Sequence, residues 1–306
     1  MVMESDRRAP RDRVDGLLLL NKPTGMSSNR ALQITKRLLN AQKAGHTGSL
    51  DPLATGVLPI CFGQATKFAQ FLLDTDKQYQ VTLKLGVRTT TSDSEGEVIS
   101  EKPLPELSEE QLEQSLEYFR GVSDQTPSMF SALKYQGKPL YYYARQGLTV
   151  PRPTRKITVW SLKLDAFNKD EVTLSLHCSK GTYVRTIVDD WGERLGCGAH
   201  VTALHRTSVG NFSESAMLTL SDLEDQSQSG VSLLPHLLPV DSLVGHFPLI
   251  ELTDNQSTAM RYGQVVELSH MSDQEYVRLY DTEGFLGVGQ LKEGTLVARR
   301  LMSKAP

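Results

Sequence analysis

Between residues 16 and 73 the chain carries one carboxylate, Asp51, beside six Lys or Arg side chains. It sits in Gly45-His46-Thr47-Gly48-Ser49-Leu50-Asp51-Pro52-Leu53-Ala54-Thr55-Gly56, a glycine-punctuated run that reads as a bent loop. Pro52 pushes Asp51 out of helical geometry into an extended one. The glycines at 45, 48 and 56 let the backbone approach a neighbour closely. A surface that meets nucleic acid phosphates excludes carboxylates, because like charges repel. One retained there is a structural cap or a reagent, and Asp-Pro is also a common turn. A metal site needs clustered ligands, and glycosidases normally need two carboxylates. With no other carboxylate nearby in sequence, the favoured reading is a nucleophile that works without metal.

The loop separates short elements. Residues 16–21 read as an apolar strand, and Lys22-Pro23-Thr24-Gly25 as a turn. Ser27 or Ser28 can cap a helix running to about Asn40, with Ala31, Ile34 and Leu38 on one face. A strand at 57–61 and a helix over 65–73 follow. Residues 78–87 alternate Tyr79, Val81, Leu83, Leu85 and Val87 on one face, as a half-buried strand does. Strands are expected at 156–167, 171–178 and 199–208, with a helix at 183–195. Residues 222–242, polar and then marked by Pro235 and Pro239, read as a linker. Beyond it, a helix at 254–262 and β segments at 265–268, 275–280, 285–290 and 295–300 make a compact, mostly-β module.

A net charge of −3 gives no global case for nucleic acid, so any basic surface must be local. Residues 93–124 hold ten acids against Lys102 and Arg120, and 105–119 reads as a solvent-facing amphipathic helix. Residues 125–164 reverse this with seven cations (Lys134, Lys138, Arg145, Arg152, Arg155, Lys156 and Lys163) and no acid. Phe130, Tyr135, Tyr141, Tyr142, Tyr143 and Trp160 interleave with them. Cations for phosphates and aromatics for bases are what RNA binding uses. Arg185 lies in Ser179-Lys180-Gly181-Thr182-Tyr183-Val184-Arg185-Thr186, at a strand-to-helix junction. An arginine paired with a buried aspartate keeps it ionised, which makes Arg185 the best partner for Asp51. His46, in a basic glycine-rich loop, could stack on a nucleobase or take the place of one.

Cys61, Cys178 and Cys197 form no C-x-x-C pair, which points to a reducing compartment. Cys197-Gly-Ala-His200 has zinc-like local spacing, but Cys178 and His205 are scattered, so no metal is expected. No apolar run approaches membrane-spanning length, and residues 1–15 lack a signal-peptide core and read as a flexible tail. A cytoplasmic protein with no membrane partner is expected.

In family order, the chain resembles the TruB family of tRNA pseudouridine synthases in its bacterial form. Leu20-Asn21-Lys22-Pro23-x-Gly25-x-Ser27-Ser28 resembles the first motif, and the run from Gly45 to Pro59 the catalytic loop. Lys77-x-Tyr79 resembles the tyrosine strand. Gln125-x-Pro127-x-x-Phe130-Ser131-Ala132-x-Lys134 and Tyr143-Ala144-Arg145-x-Gly147 resemble an RNA-gripping insertion. Residues 179–186 and Gly196-x-Gly198-Ala199-His200 complete the core. Two departures are Pro127-Ser128, where a second proline is common, and Leu204-His205-Arg206 for a more usual Leu-Arg-Arg.

The resemblance implies an α+β pseudouridine synthase fold with a mixed, mostly antiparallel central sheet. It divides the chain into a catalytic domain at 16–240, with the basic insertion at 125–155, and a small β-barrel-like PUA domain at 249–302. It makes Asp51 the nucleophile, Arg185 its ion-pair partner and Tyr79 the residue stacked on the target uracil, where it takes part in removing the C5 proton. Tyr183 and Leu204 become uridine-pocket contacts, and His46 enters the T-loop as the target flips out. Lys22, Lys134, Lys138, Arg145, Arg152, Arg155 and Lys156 are the expected RNA contacts. The implied reaction is isomerisation of the uridine at position 55 of the tRNA, by a monomer that needs no cofactor and no guide RNA. A tRNA-folding role could coexist. A non-catalytic RNA-binding protein and a small-molecule hydrolase built on Asp51 are the competing readings.

Overall fold

The computed structural model describes residues 10–268 and 271–303. A ten-stranded mixed sheet organises the larger part. Its main path runs Leu218–Thr219, Gly16–Lys22, Thr55–Phe62, Ala199–Val209, Lys77–Leu85, Glu171–Cys178, Arg155–Asn168 and Gly121–Gln125. Only the first pair and the pair Thr55–Phe62 with Ala199–Val209 run parallel; the rest of that path is antiparallel. The period-2 pattern of Lys77–Leu85 explains its central place. Val81, Leu83 and Leu85 are buried and pack with Leu174, Leu176 and Val201 from the flanking strands. Helices Ser28–Leu38 and Val184–Arg194 cover this core, the second through Ile187, Val188 and Trp191.

Several expected boundaries move. The helix expected over 65–73 splits into a 3-10 turn, Gly63–Lys67, and a short helix, Ala69–Leu73, on either side of Phe68. The helix of the acidic segment is shorter than expected, Glu109–Leu116, and starts at the capping box of Ser108 and Gln111. The segment read as a linker is folded onto the core: Thr219 and Asp222 form a capping box for helix Leu220–Gln228, which buries Leu220 and Leu223. Of the expected tail, residues 1–9 lie outside the described region, whereas 10–15 are docked. Asp12 hydrogen-bonds through its backbone to Asn40 and Gln42, and Val14 is buried.

The C-terminal module is a five-stranded sheet ordered Leu249–Glu251, Gln274–Asp281, Gly284–Lys292, Thr295–Leu301 and Val266–Glu267, with helix Asp254–Arg261. It joins the larger part through an apolar seam. Phe68 packs on Phe285 at 5.3 Å, Phe71 on Tyr276 at 5.1 Å and on Phe247 at 5.4 Å between ring centres. No helix among the described residues is long and apolar enough to cross a membrane.

Candidate active site

The loop carrying Asp51 hangs between strands Ala44–His46 and Thr55–Phe62, and its shape is fixed from below by the first motif. Ser28 Oγ donates to the carbonyl of Leu50 at 3.0 Å and accepts from its amide at 2.8 Å. Thr24 Oγ1 donates to the carbonyl of Leu53 at 3.2 Å, and the Gly25 amide to that of Pro52 at 2.9 Å. Lys22 completes the support: its Nζ donates to the carbonyls of Pro23 (2.8 Å), Met26 (2.7 Å) and Pro52 (3.4 Å). Lys22 is fully buried, which corrects its expected place among the RNA-contacting cations. A lysine can be buried only where its donors are used, and here the turn and the Asp51 loop supply the acceptors.

Above the loop opens a cavity of about 320 Å³, whose wall includes Asp51, Tyr79, Arg155, Tyr183, Arg185 and Leu204. Arg185 Nε stands 2.9 Å from Asp51 Oδ2. The rest of the guanidinium is anchored. Nη1 donates to the carbonyl of Thr91 (2.8 Å) and reaches Asp93 Oδ2 at 3.2 Å, and Nη2 donates to the carbonyl of Phe130 at 2.9 Å. Arg185 is 4% exposed and Asp93 2%, whereas the Asp51 side chain is 40% exposed toward the cavity. The arginine is therefore a fixed part of the floor, and the aspartate is its accessible partner. Surrounding protein pushes the Asp51 carboxyl above its ordinary pKa, Arg185 opposes this, and the Asp93 charge adds to the rise.

Asp93 is the site residue that sequence reasoning missed. No other acid lies near Asp51 in sequence, but a second one shares its arginine in space. Asp93 accepts from Thr91 Oγ1 (2.5 Å) and the Glu95 amide (3.1 Å). Its neighbours in an acid-rich, Thr- and Ser-rich turn mark it as solvated, and no periodic pattern in the sequence points to its burial.

Tyr79 faces Arg206 across the strand pair, and burial pushes its phenol up while the guanidinium opposes this. Arg206 is 1% exposed and donates to the carbonyls of Val57 (2.8 Å) and Gly48 (3.0 Å), so it ties both ends of the Asp51 loop. The neighbouring His205 has Nδ1 2.7 Å from Thr55 Oγ1 and Nε2 2.9 Å from Glu214, which gives the departure at this position its own local partners. Tyr183 is held by Gln125, whose side chain accepts from its amide at 2.8 Å and donates to its carbonyl at 3.0 Å. His46 is half-buried and is not among the residues that line the cavity; burial and Arg206 lower its pKa.

The basic insertion lines the cavity with Ala132, Leu133 and Arg155, buries Gln125, Pro127, Ser131 and Leu140, and leaves much of the rest exposed. Lys134, Lys138, Arg145 and Lys156 are exposed; Lys138 Nζ lies 4.2 Å from the Tyr142 ring centre and Arg145 5.5 Å from that of Tyr141. Arg152 donates to the carbonyl of Pro127 at 3.0 Å. Of the insertion's cations, Arg155 alone reaches the cavity wall. The cysteines are buried free thiols, and His200 Nδ1 lies 2.9 Å from the Val87 carbonyl.

Comparison with known proteins places this geometry in a family. Residues 36–184 match the TruB family pseudouridylate synthase N-terminal domain. Residues 185–245 match the tRNA pseudouridylate synthase B C-terminal domain, and 248–302 the C-terminal domain described as pseudouridine synthase II TruB. The tRNA pseudouridine synthase B of Vibrio vulnificus (strain YJ016) is 52% identical over 300 residues, covering 94% of this chain and 95% of its own. That of Coxiella burnetii (strain RSA 493 / Nine Mile phase I) is 50% identical over 295 residues, covering 95% and 96%. Among solved structures, a chain of a Cbf5-Nop10-Gar1 complex superposes with a TM-score of 0.72 at 24% identity, over 94% of this chain and 85% of that one. A chain of an H/ACA RNP bound to a substrate RNA containing 2′-deoxyuridine gives 0.71 at 22%, with the same coverage. These two likenesses carry the fold. The domain matches, in order along the chain, and relatives at half identity over nearly all of it establish that the chain belongs to the TruB family of pseudouridylate synthases.

Proposed function

We propose that this enzyme converts uridine to pseudouridine at T-loop position 55 of tRNA, with Asp51 as the nucleophile. The observation that carries the proposal is the Asp51–Arg185 contact of 2.9 Å at the floor of a nucleotide-sized cavity. The reaction breaks the N1–C1′ bond, turns the uracil and forms C5–C1′. Atoms and electrons balance within the substrate, so no cosubstrate enters. Asp51 attack on C1′, its attack on C6, and Asp51-assisted loss of the 2′ proton all require an ionised carboxylate beside the target, and Arg185 favours that state. Tyr79 stacks on the base and takes part in moving the C5 proton. Leu204 and Tyr183 wall the pocket so that detached uracil stays out of water.

Reaching a uridine inside a folded tRNA elbow requires flipping it, at a cost of a few kcal/mol. His46 fills the space the base leaves. Lys134, Lys138, Arg145, Arg152 and Lys156, together with the C-terminal module, supply binding that offsets this cost. The enzyme acts as a monomer without a guide RNA. The test incubates wild type and Asp51→Asn with unmodified tRNA transcript and maps pseudouridine by carbodiimide adducts that stop primer extension. A T-loop stop with wild type and none with the variant, at near-equal tRNA affinity, is expected. Turnover by Asp51→Asn would overturn the nucleophile.

A further inference from the structure

Arg155 has a different situation from the other cations that line the cavity. Arg185 is neutralised by Asp51 and Asp93. Arg206 donates to the carbonyls of Gly48 and Val57, and Lys77 to those of Leu73 and Thr75. Arg155 Nε and Nη2 are sealed from solvent and have no partner. Two unpaired N–H groups of one charged guanidinium edge, enclosed by protein, are costly, and a ligand that accepts from both would recover that cost.

The guanidinium is also held in place. Its plane covers the Tyr183 ring at 4.8 Å, and Tyr183 is itself locked by Gln125. Beneath it, Gly181 has φ +80°, and a Cβ there would stand 3.3 Å from Arg155 Cζ and Nη1. The orphaned pair, Nε and Nη2, is the side-on edge that takes two oxygens of one anion. Arg88 uses that same edge here, reaching the two Asp189 oxygens at 2.9 and 3.0 Å. A uracil carbonyl could accept from one of these N–H groups, as the Val57 and Gly48 carbonyls accept from Arg206, but a phosphodiester offers two oxygens to the edge and a counter-charge as well.

We infer that Arg155 is a phosphate seat at the wall of the active-site cavity: entering RNA displaces the groups that now cover its Nε–Nη2 edge, which then holds one of the two phosphodiesters flanking the flipped uridine. This rests on the proposed uridine site. It separates Arg155 from the exposed cations of the insertion, which act on tRNA before the base is flipped. Once seated, the phosphate fixes the ribose against Asp51, so the contact is felt in the chemical step more than in the first encounter.

The test uses the full chain and a T-arm stem-loop RNA with natural linkages or with a single neutral methylphosphonate on the 5′ or 3′ side of the target uridine. Arg155→Gln should lower the single-turnover rate about 10- to 100-fold and change the Kd only a few-fold. In wild type, one of the two methylphosphonates should cause a loss of the same order. In Arg155→Gln, that same linkage should cause no further loss. Arg155→Lys should restore part of the rate, since it returns the charge without the fork; a packing role would leave Lys and Gln alike. Losses that multiply at both linkages, or a wild-type rate for Arg155→Gln, would overturn the seat. No pseudouridine from wild type on the natural stem-loop would instead sink the uridine site itself.

Discussion

Lys22 offers a test in which the structure sets both sign and size. Its ammonium is buried, donates to three carbonyls, and has a pKa pushed from 10.5 to about 8 by burial, against the pull of Asp51 and Glu95. The unfolded chain binds this proton more tightly than the native protein, so stability rises with pH across that interval. From roughly pH 7 to roughly pH 10 this one group contributes a rise of about 2.5 kcal/mol. Lys22→Met keeps a chain of similar length and abolishes the titration. It leaves the Pro23 and Met26 carbonyls without this donor, at about 1–3 kcal/mol each, while Pro52 still accepts from the Gly25 amide.

Near neutral pH that loss is offset by release of the buried charge, worth about 3 kcal/mol, so the variant differs modestly from wild type. Toward roughly pH 10 the gap widens by about 2.5 kcal/mol in favour of wild type. Urea unfolding of both proteins at both pH values reads this, since titrating groups remote from Lys22 cancel in the difference and the coupled carboxyls, Asp51 and Glu95, are acids that ordinarily titrate well below this pH interval. A gap that stays flat with pH would mean a solvated amine and would refute the reasoning. The salt dependence of tRNA binding gives a second check. Loss of a phosphate contact lowers the slope by about one, and Lys22→Met should leave it unchanged.

Asp93→Asn removes a buried charge from Arg185 without changing shape. The arginine loses an anchor, so the single-turnover rate should fall by about 10- to 100-fold at unchanged tRNA affinity. Asp93 is one of the charges that raise the Asp51 pKa, so the acid limb of the pH–rate profile should move to lower pH; a shift upward would contradict the shared ion pair. Gly56→Ala should cost about 3 kcal/mol or more by urea unfolding, because at φ +99° its Cβ would stand 2.2 Å from the Arg206 carbonyl oxygen. Gly25→Ala, at φ +78° with open space around it, should cost about 1 kcal/mol, and equal losses at the two sites would deny the close approach.

The elements legible in the sequence were those whose pattern is local. The alternation from Tyr79 to Leu85 marks a strand, and Glu171–Cys178 forms with the expected limits. The Asp-Pro loop announces itself through Pro52 and its glycines. What escaped depends on chain segments brought together from afar. Lys22 reads as a surface cation until Pro52, thirty residues on, supplies a carbonyl. Asp93 reads as solvated until Arg185 arrives from 92 positions away. The helix Leu220–Gln228 is a different case: its capping box, Thr219 to Asp222, stands in the sequence, but the polar composition around it outweighed that signal.

The isolation of Asp51 takes on a physical meaning once Asp93 is in place. A carboxylate fully paired with its own arginine is well stabilised and correspondingly poor as a nucleophile; an unpaired one inside protein takes up a proton. Arg185 sits between these limits because it is shared, with Nε toward Asp51 and Nη1 toward Asp93. The second carboxylate draws off part of the positive charge and is itself hidden behind the guanidinium, 2% exposed. A polyanionic substrate that enters the cavity therefore meets Arg155 and one carboxylate, not two. Under the proposed mechanism, like-charge repulsion with phosphates falls on the one exposed carboxylate, Asp51, while Asp93 acts on it through Arg185 from a buried position.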